Sequence, residues 1–418
     1  MPPAGRERHI GPYHGAMSSG PNPFDGMPFF GDLLKMLGSQ GPVQWDGARQ
    51  LALSIATDGT SEPNVDPLER VRYEQLARVA DLHVSQATGL STSTTGRSLT
   101  INPVTRSQYA LATLDAYRPL VERLAGSLHP PTEAPEAVEL ADAEDPTEAW
   151  LGQIMGLLSP MLLGMTAGSL VGHLATRDFG AFDLPIPRPA SDDLLVVAAN
   201  VEAFASDWSM DGDELRLWVC LHQVAHHAVL GLPHVRARLE QLLADYASSF
   251  ESDPDALGSK LGELEVDPTG GDPMARFQEL LGDPEVLLGA VRSARQQELL
   301  PQLEALVAVV VGYVDHTMDQ LGHGLVGSYG QITEAVRRRR VEASAQDRFV
   351  ERLLGLELTQ DRFDRGSAFV AGVVERAGAE GLARLWSGPE VLPTPNEVDA
   401  PGLWLARIDL PVDGDAQA

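Results

Sequence analysis

Along most of the chain apolar residues recur at spacings of three and four, the period of an amphipathic helix. The pattern predicts helices over 28–37, 45–57, 66–87 and 104–127, and later over 234–250, 286–299, 302–321, 329–342, 345–355, 360–377 and 379–386. Ser344 and Gly355 suit the two ends of the helix between them. Leu194-Leu195-Val196-Val197 departs from the pattern: it is short and continuously apolar, which predicts a strand, with Asn200 as the turn residue after it. Asp211 and Glu214 form a capping-box-like start for a helix through Leu215, Trp218, His222 and His226, which Gly231 and Pro233 stop. The fold class expected is mainly α with a small β-sheet.

Ala149 to Leu174 carries no charged residue, but glycines and polar residues dilute it and Pro160 interrupts it. It reads as a buried helical pair, not a membrane span. Punctuation then divides the chain into a disordered leader (1–26), an N-terminal helical region (27–128), an acidic Pro-rich linker (129–146), a main domain (147–392) and a weakly structured Pro-rich tail (393–418).

Composition narrows the partners. The 418 residues carry a formal charge of −28, which repels nucleic acid and anionic membrane surfaces and leaves a protein or peptide partner. Cys220 is the only cysteine, so no intrachain disulfide can form; this and the lack of a signal-like apolar segment fit a cytoplasmic protein. Cys220 itself reads as inert packing. The run Arg337-Arg338-Arg339-Arg340 near a helix C-terminus reads as a solvated helix end facing acidic neighbours.

Four of the eleven histidines, His222, His226, His227 and His234, fall between positions 222 and 234. His222 and His226 stand one helical turn apart on one face and could both reach a metal ion, whereas His227 points about 100° away. His227 and His234 read as surface or supporting residues. The same face carries Leu215, Trp218, Val219, Ala225 and Val229, so a plain pair of core histidines stays open.

The chain resembles the zincin-like metallopeptidases of actinobacteria. The resemblance runs from Phe29-Phe30-Gly31-Asp32-Leu33 and Gly41-Pro42-Val43-Gln44-Trp45, through Leu217-Trp218 ahead of the histidines, to Gly366-Ser367-Ala368-Phe369-Val370. It implies a zincin-like helical core over 147–392, a zinc cofactor, and an HExxH helix paired with a later Glu-Gly-His or Glu-Gly-Tyr helix. Carried over, His222 and His226 are the histidine ligands, Gln223 stands where the general-base Glu is expected, and Val311-Gly312-Tyr313 stands at the third-ligand element. An amide can orient a water but cannot take its proton, and valine binds no metal. The resemblance therefore implies a protein that has kept the fold for binding or scaffolding with its hydrolysis impaired. An active zinc hydrolase with altered ligands is the alternative, with Asp315, His316 or His234 as the third donor.

Overall fold

In the computed structural model, which describes residues 41–128, 146–252, 290–291, 293–342, 355–356 and 358–410, small residues decide where the long helices touch. Helix α1 (Trp45–Thr57) lies along helix α4 (Pro146–Arg177). Gly164 and Gly168 approach it so closely that a Cβ on either would stand 2.5 Å from the carbonyl oxygen of Gln44 or Ala48. The buried alanines Ala48, Ala52 and Ala56 complete this contact from the other side. The expected break at Pro160 does not occur. Proline removes a single helical donor, and the contact with α1 continues past it, the Pro160 carbonyl accepting from Gln44 N at 2.8 Å.

Between them run α2 (Pro67–Thr88), β1 (Thr100–Val104) and α3 (Arg106–Leu128). The expected strand forms as β2 (Asp193–Val197), paired in parallel with β1 so that Ile101 meets Leu194 and Val104 meets Val197. β1 had no counterpart in the sequence reading. Its Thr-Ile-Asn-Pro-Val offers few apolar positions, and Pro103 is tolerated because the strand is an edge. On the other edge of β2 the backbone of Phe179 to Ala181 is bonded to it, Val197 N donating to Phe179 O and Ala181 N to Leu195 O. That lays residues 178–183 across the end of α4.

Helices α5 (Ala198–Asp207), α6 (Gly212–Leu230) and α7 (Pro233–Ala247) follow. α6 is the central helix: every residue from Trp218 to Leu230 is buried. Its N-terminus is capped by Asp211 as expected, but Glu214 does not close a capping box; its carboxylate accepts instead from Ser328 N at 2.7 Å and from the Ser328 hydroxyl. A two-residue ribbon of β3 (Glu251–Ser252) and β4 (Ala290–Val291) precedes α8 (Ala294–Leu325), which begins with the capping box of Ser293 and Gln296. Two helices were expected where α8 runs unbroken. By length and composition α8 could cross a membrane, but 67% of its apolar window is buried within the fold.

Helices α9 (Tyr329–Val341) and α10 (Gln360–Ala383) complete the walls of a cavity, and α10 is broken at Gly378 (φ 66°), where the sequence places the boundary between two helices. α10 crosses α8 backbone to backbone, since a Cβ on Gly312 would lie 2.3 Å from the carbonyl carbon of Gly366. The C-terminal segment corrects the expectation of weak structure: α11 (Pro395–Asp399) and α12 (Pro401–Ile408) pack on α10 with Trp404 fully buried against Phe369. The sequence-based leader, the 28–37 helix, the acidic linker up to 145, the start of the 286–299 helix and residues 345–354 lie outside the described residues.

Candidate functional site: a cavity between α6 and α8

α6 presents Trp218, His222 and His226 on one stripe. The ring of Trp218 stacks on His222 with centroids 5.0 Å apart, and the two imidazole centroids are 4.4 Å apart. Nδ1 of His226 lies 3.2 Å from the His222 carbonyl, a donor position that leaves Nε2 as the ring's acceptor. Burial holds both histidines below their ordinary range, His226 at about 4, and the Arg340 charge acts in the same direction on each. Both rings are therefore neutral near pH 7.

These residues line a cavity of about 90 Å³, room for a few water molecules. Val311, 2% exposed, forms the facing wall from α8, fixed by the glycine crossing at its neighbour Gly312. Leu174 and Arg177 close the cavity from the end of α4, and Asp178, Phe179, Asp183 and Leu184 from the segment beside β2. Val336, Arg339 and Arg340 enter from α9, and Leu358 and Phe363 from around the start of α10.

The arginine run is thus not a solvated helix end throughout. Arg337 and Arg338 are exposed, but the C-terminal pair turns inward. The guanidinium of Arg339 sits 4.0 Å over Phe179 and donates to the Arg177 carbonyl, and that of Arg340 sits 3.9 Å over Phe363. Helical phase could have flagged this, because residues 339 and 340 continue the stripe of buried Ile332 and Val336.

Asp178 and Asp183 line the cavity beside these arginines. Burial pushes both carboxyls up, Asp178 to about 8, and the arginines at 177 and 339 oppose the shift. Tyr109 donates its hydroxyl to Asp178 at 2.7 Å, while Asp183 accepts from the backbone N–H groups of Phe179 and Gly180.

Gln223 is fully buried and is not among the residues lining the cavity. Its Oε1 accepts from Phe182 N at 2.8 Å and its Nε2 donates to Asp183 Oδ1 at 2.9 Å. Both ends of the amide are engaged in tying α6 to the segment beside β2.

The proposed third donors do not join the two imidazoles. Asp315 faces Arg340 at 3.9 Å, His316 pairs with Gln320 on the same helix, and none of Asp315, His316 or His234 lines the cavity. Among the described residues no group of three His, Cys, Asp or Glu side chains could hold a metal ion. Two neutral imidazoles faced by a valine, with an arginine near both, do not fit a zinc ion, which takes three protein ligands even in open sites. His227 is buried against Phe182, with Nε2 3.7 Å from Asp192, and Cys220 is buried, its thiol held protonated by that burial.

A family model described as zincin-like metallopeptidase matches residues 43–405. A crystal structure from Chloroflexus aurantiacus, described as a "putative hydrolase with a novel fold", superposes with a TM-score of 0.59 at 22% identity, over 88% of this chain and all of that one. At that identity the likeness is one of fold. No curated protein matches the chain.

Proposed function

Because this chain belongs to the zincin-like metallopeptidase family, yet holds Gln223 and Val311 where the resemblance calls for glutamates, we propose that it serves as a binding or scaffolding protein with its peptide hydrolysis impaired. The observation that carries this reading is the cavity itself: His222, His226 and Val311 converge on one space, and the third wall offers methyl groups where a metal donor would be needed. The position of the general base supports it too. Gln223 cannot accept a proton, and its amide is committed to Phe182 and Asp183. The binding role extends to a protein or peptide partner, and the lone buried thiol fits a reducing cytoplasmic setting.

Elemental analysis of the purified protein, alone and after incubation with zinc, tests the reading together with a peptide-hydrolysis assay. Far less than one zinc per chain and no zinc-dependent turnover are expected. Stoichiometric zinc that is lost in His222→Ala, accompanied by turnover, would overturn it.

A further inference from the structure

Three guanidiniums, Arg177, Arg339 and Arg340, and two carboxyls, Asp178 and Asp183, line this cavity inside a chain whose formal charge is −28, and Asp315 stands beside Arg340 outside it. Arg177 and Arg339 each donate to the other's backbone carbonyl. Arg340 stands apart: its contact with Asp315 is long, at 3.9 Å, and it acts on both imidazoles. A second observation comes from Trp218. It lines the same cavity at 4% exposure, and its buried indole N–H has no hydrogen-bond partner among the described residues. A buried donor of this kind is costly unless something accepts from it. The remaining walls, Leu174, Leu184, Val311, Val336, Leu358 and Phe363, are apolar.

We propose that this cavity binds a small monocarboxylate bearing a short apolar group, its carboxylate facing Arg340 and the Trp218 N–H and its apolar group against Val311 and Phe363. The proposal rests on the binding reading above and names the ligand chemistry for it. A planar guanidinium beside a single N–H donor suits the two oxygens of a carboxylate. The small volume limits the buried part to a few non-hydrogen atoms. The same group occurs as a free short-chain acid or as the C-terminal residue of a peptide.

The test is calorimetric titration of the full chain with butyrate, with acetyl-Gly-Val and with inorganic phosphate, at constant ionic strength, with zinc content measured in each sample. Saturable binding of butyrate or of the peptide, weakened at least about tenfold in Arg340→Gln, supports the proposal. Which of the two binds more tightly identifies the source. Arg340→Lys, which keeps the charge and loses the fork, is expected to bind with intermediate affinity, and it replaces the first variant if that one does not fold. Zinc-free protein that binds neither carboxylate, or binds phosphate equally well, overturns this proposal and leaves the binding reading standing. Stoichiometric zinc accompanied by zinc-dependent turnover would instead overturn the binding reading.

Discussion

The side-chain amide of Gln223 donates to Asp183 Oδ1 at 2.9 Å while its oxygen accepts from Phe182 N. An amide, with a donor at one end and an acceptor at the other, satisfies both neighbours at once without needing a proton from solution. Gln223→Glu would place one carboxylate oxygen against another in a fully buried setting. The variant is expected to lose about 1–3 kcal/mol of stability at pH 7.5 by urea unfolding, much less near pH 4 where a proton can bridge the pair, and to gain no hydrolysis. A Gln223→Glu protein as stable as the parent at pH 7.5, or one with zinc-dependent turnover, would refute the structural role.

Asp178 makes stability depend on pH. Its folded pKa, about 8, lies above the ordinary 3.8, so the native state holds a proton that the unfolded chain releases. The resulting stabilisation is complete below about pH 4 and is lost as pH rises through about 8. Urea midpoints should therefore fall between pH 5 and pH 8.5, and fall less steeply in Asp178→Asn, where the oxygen can still accept from Tyr109. Equal slopes in the two proteins would mean that Arg177 and Arg339 keep Asp178 ionised.

Supplying the missing donor tests the geometry of the cavity. With His222 and His226 on one wall and position 311 facing them, Val311→Glu is expected to raise bound zinc toward one per chain, an effect lost when His226→Ala is added. Elemental analysis that finds no gain would mean the three positions do not converge tightly enough for a metal.

The α8–α10 crossing has no room for a methyl group. Gly312→Ala should cost at least about 2 kcal/mol, because its Cβ would stand 2.3 Å from the backbone of Gly366. Gly324→Ala on the same helix, with nothing within 4 Å, should be neutral or slightly stabilising. Thermal melts that rank the two variants the other way would contradict the close crossing.

Much of the fold follows from local pattern. The helical period located α1, α2, α6, α7 and α9 to within a few residues, and the continuous apolar run located β2. Pattern failed where a single residue type has two meanings. Pro160 can break a helix or sit inside one held by a partner, and Pro103 hid β1 because its permission depends on being at an edge. The tail after Pro393 looked unstructured because Trp404 finds its partner, Phe369, only in space.

For the site, the sequence by itself determined that His222 and His226 share a helical face, that position 223 carries no base and that position 311 carries no ligand, because residue identity and a fixed helical period are local properties. Only the tertiary structure decided that Val311 faces those histidines, that Gln223 is spent on Asp183, and that Arg339 and Arg340 turn into the cavity when Arg337 and Arg338 do not. Such facts depend on how α4, α6, α8 and α9 meet, and that is fixed by long-range packing of small residues such as Gly168 and Gly312, whose role cannot be read from any window of the chain.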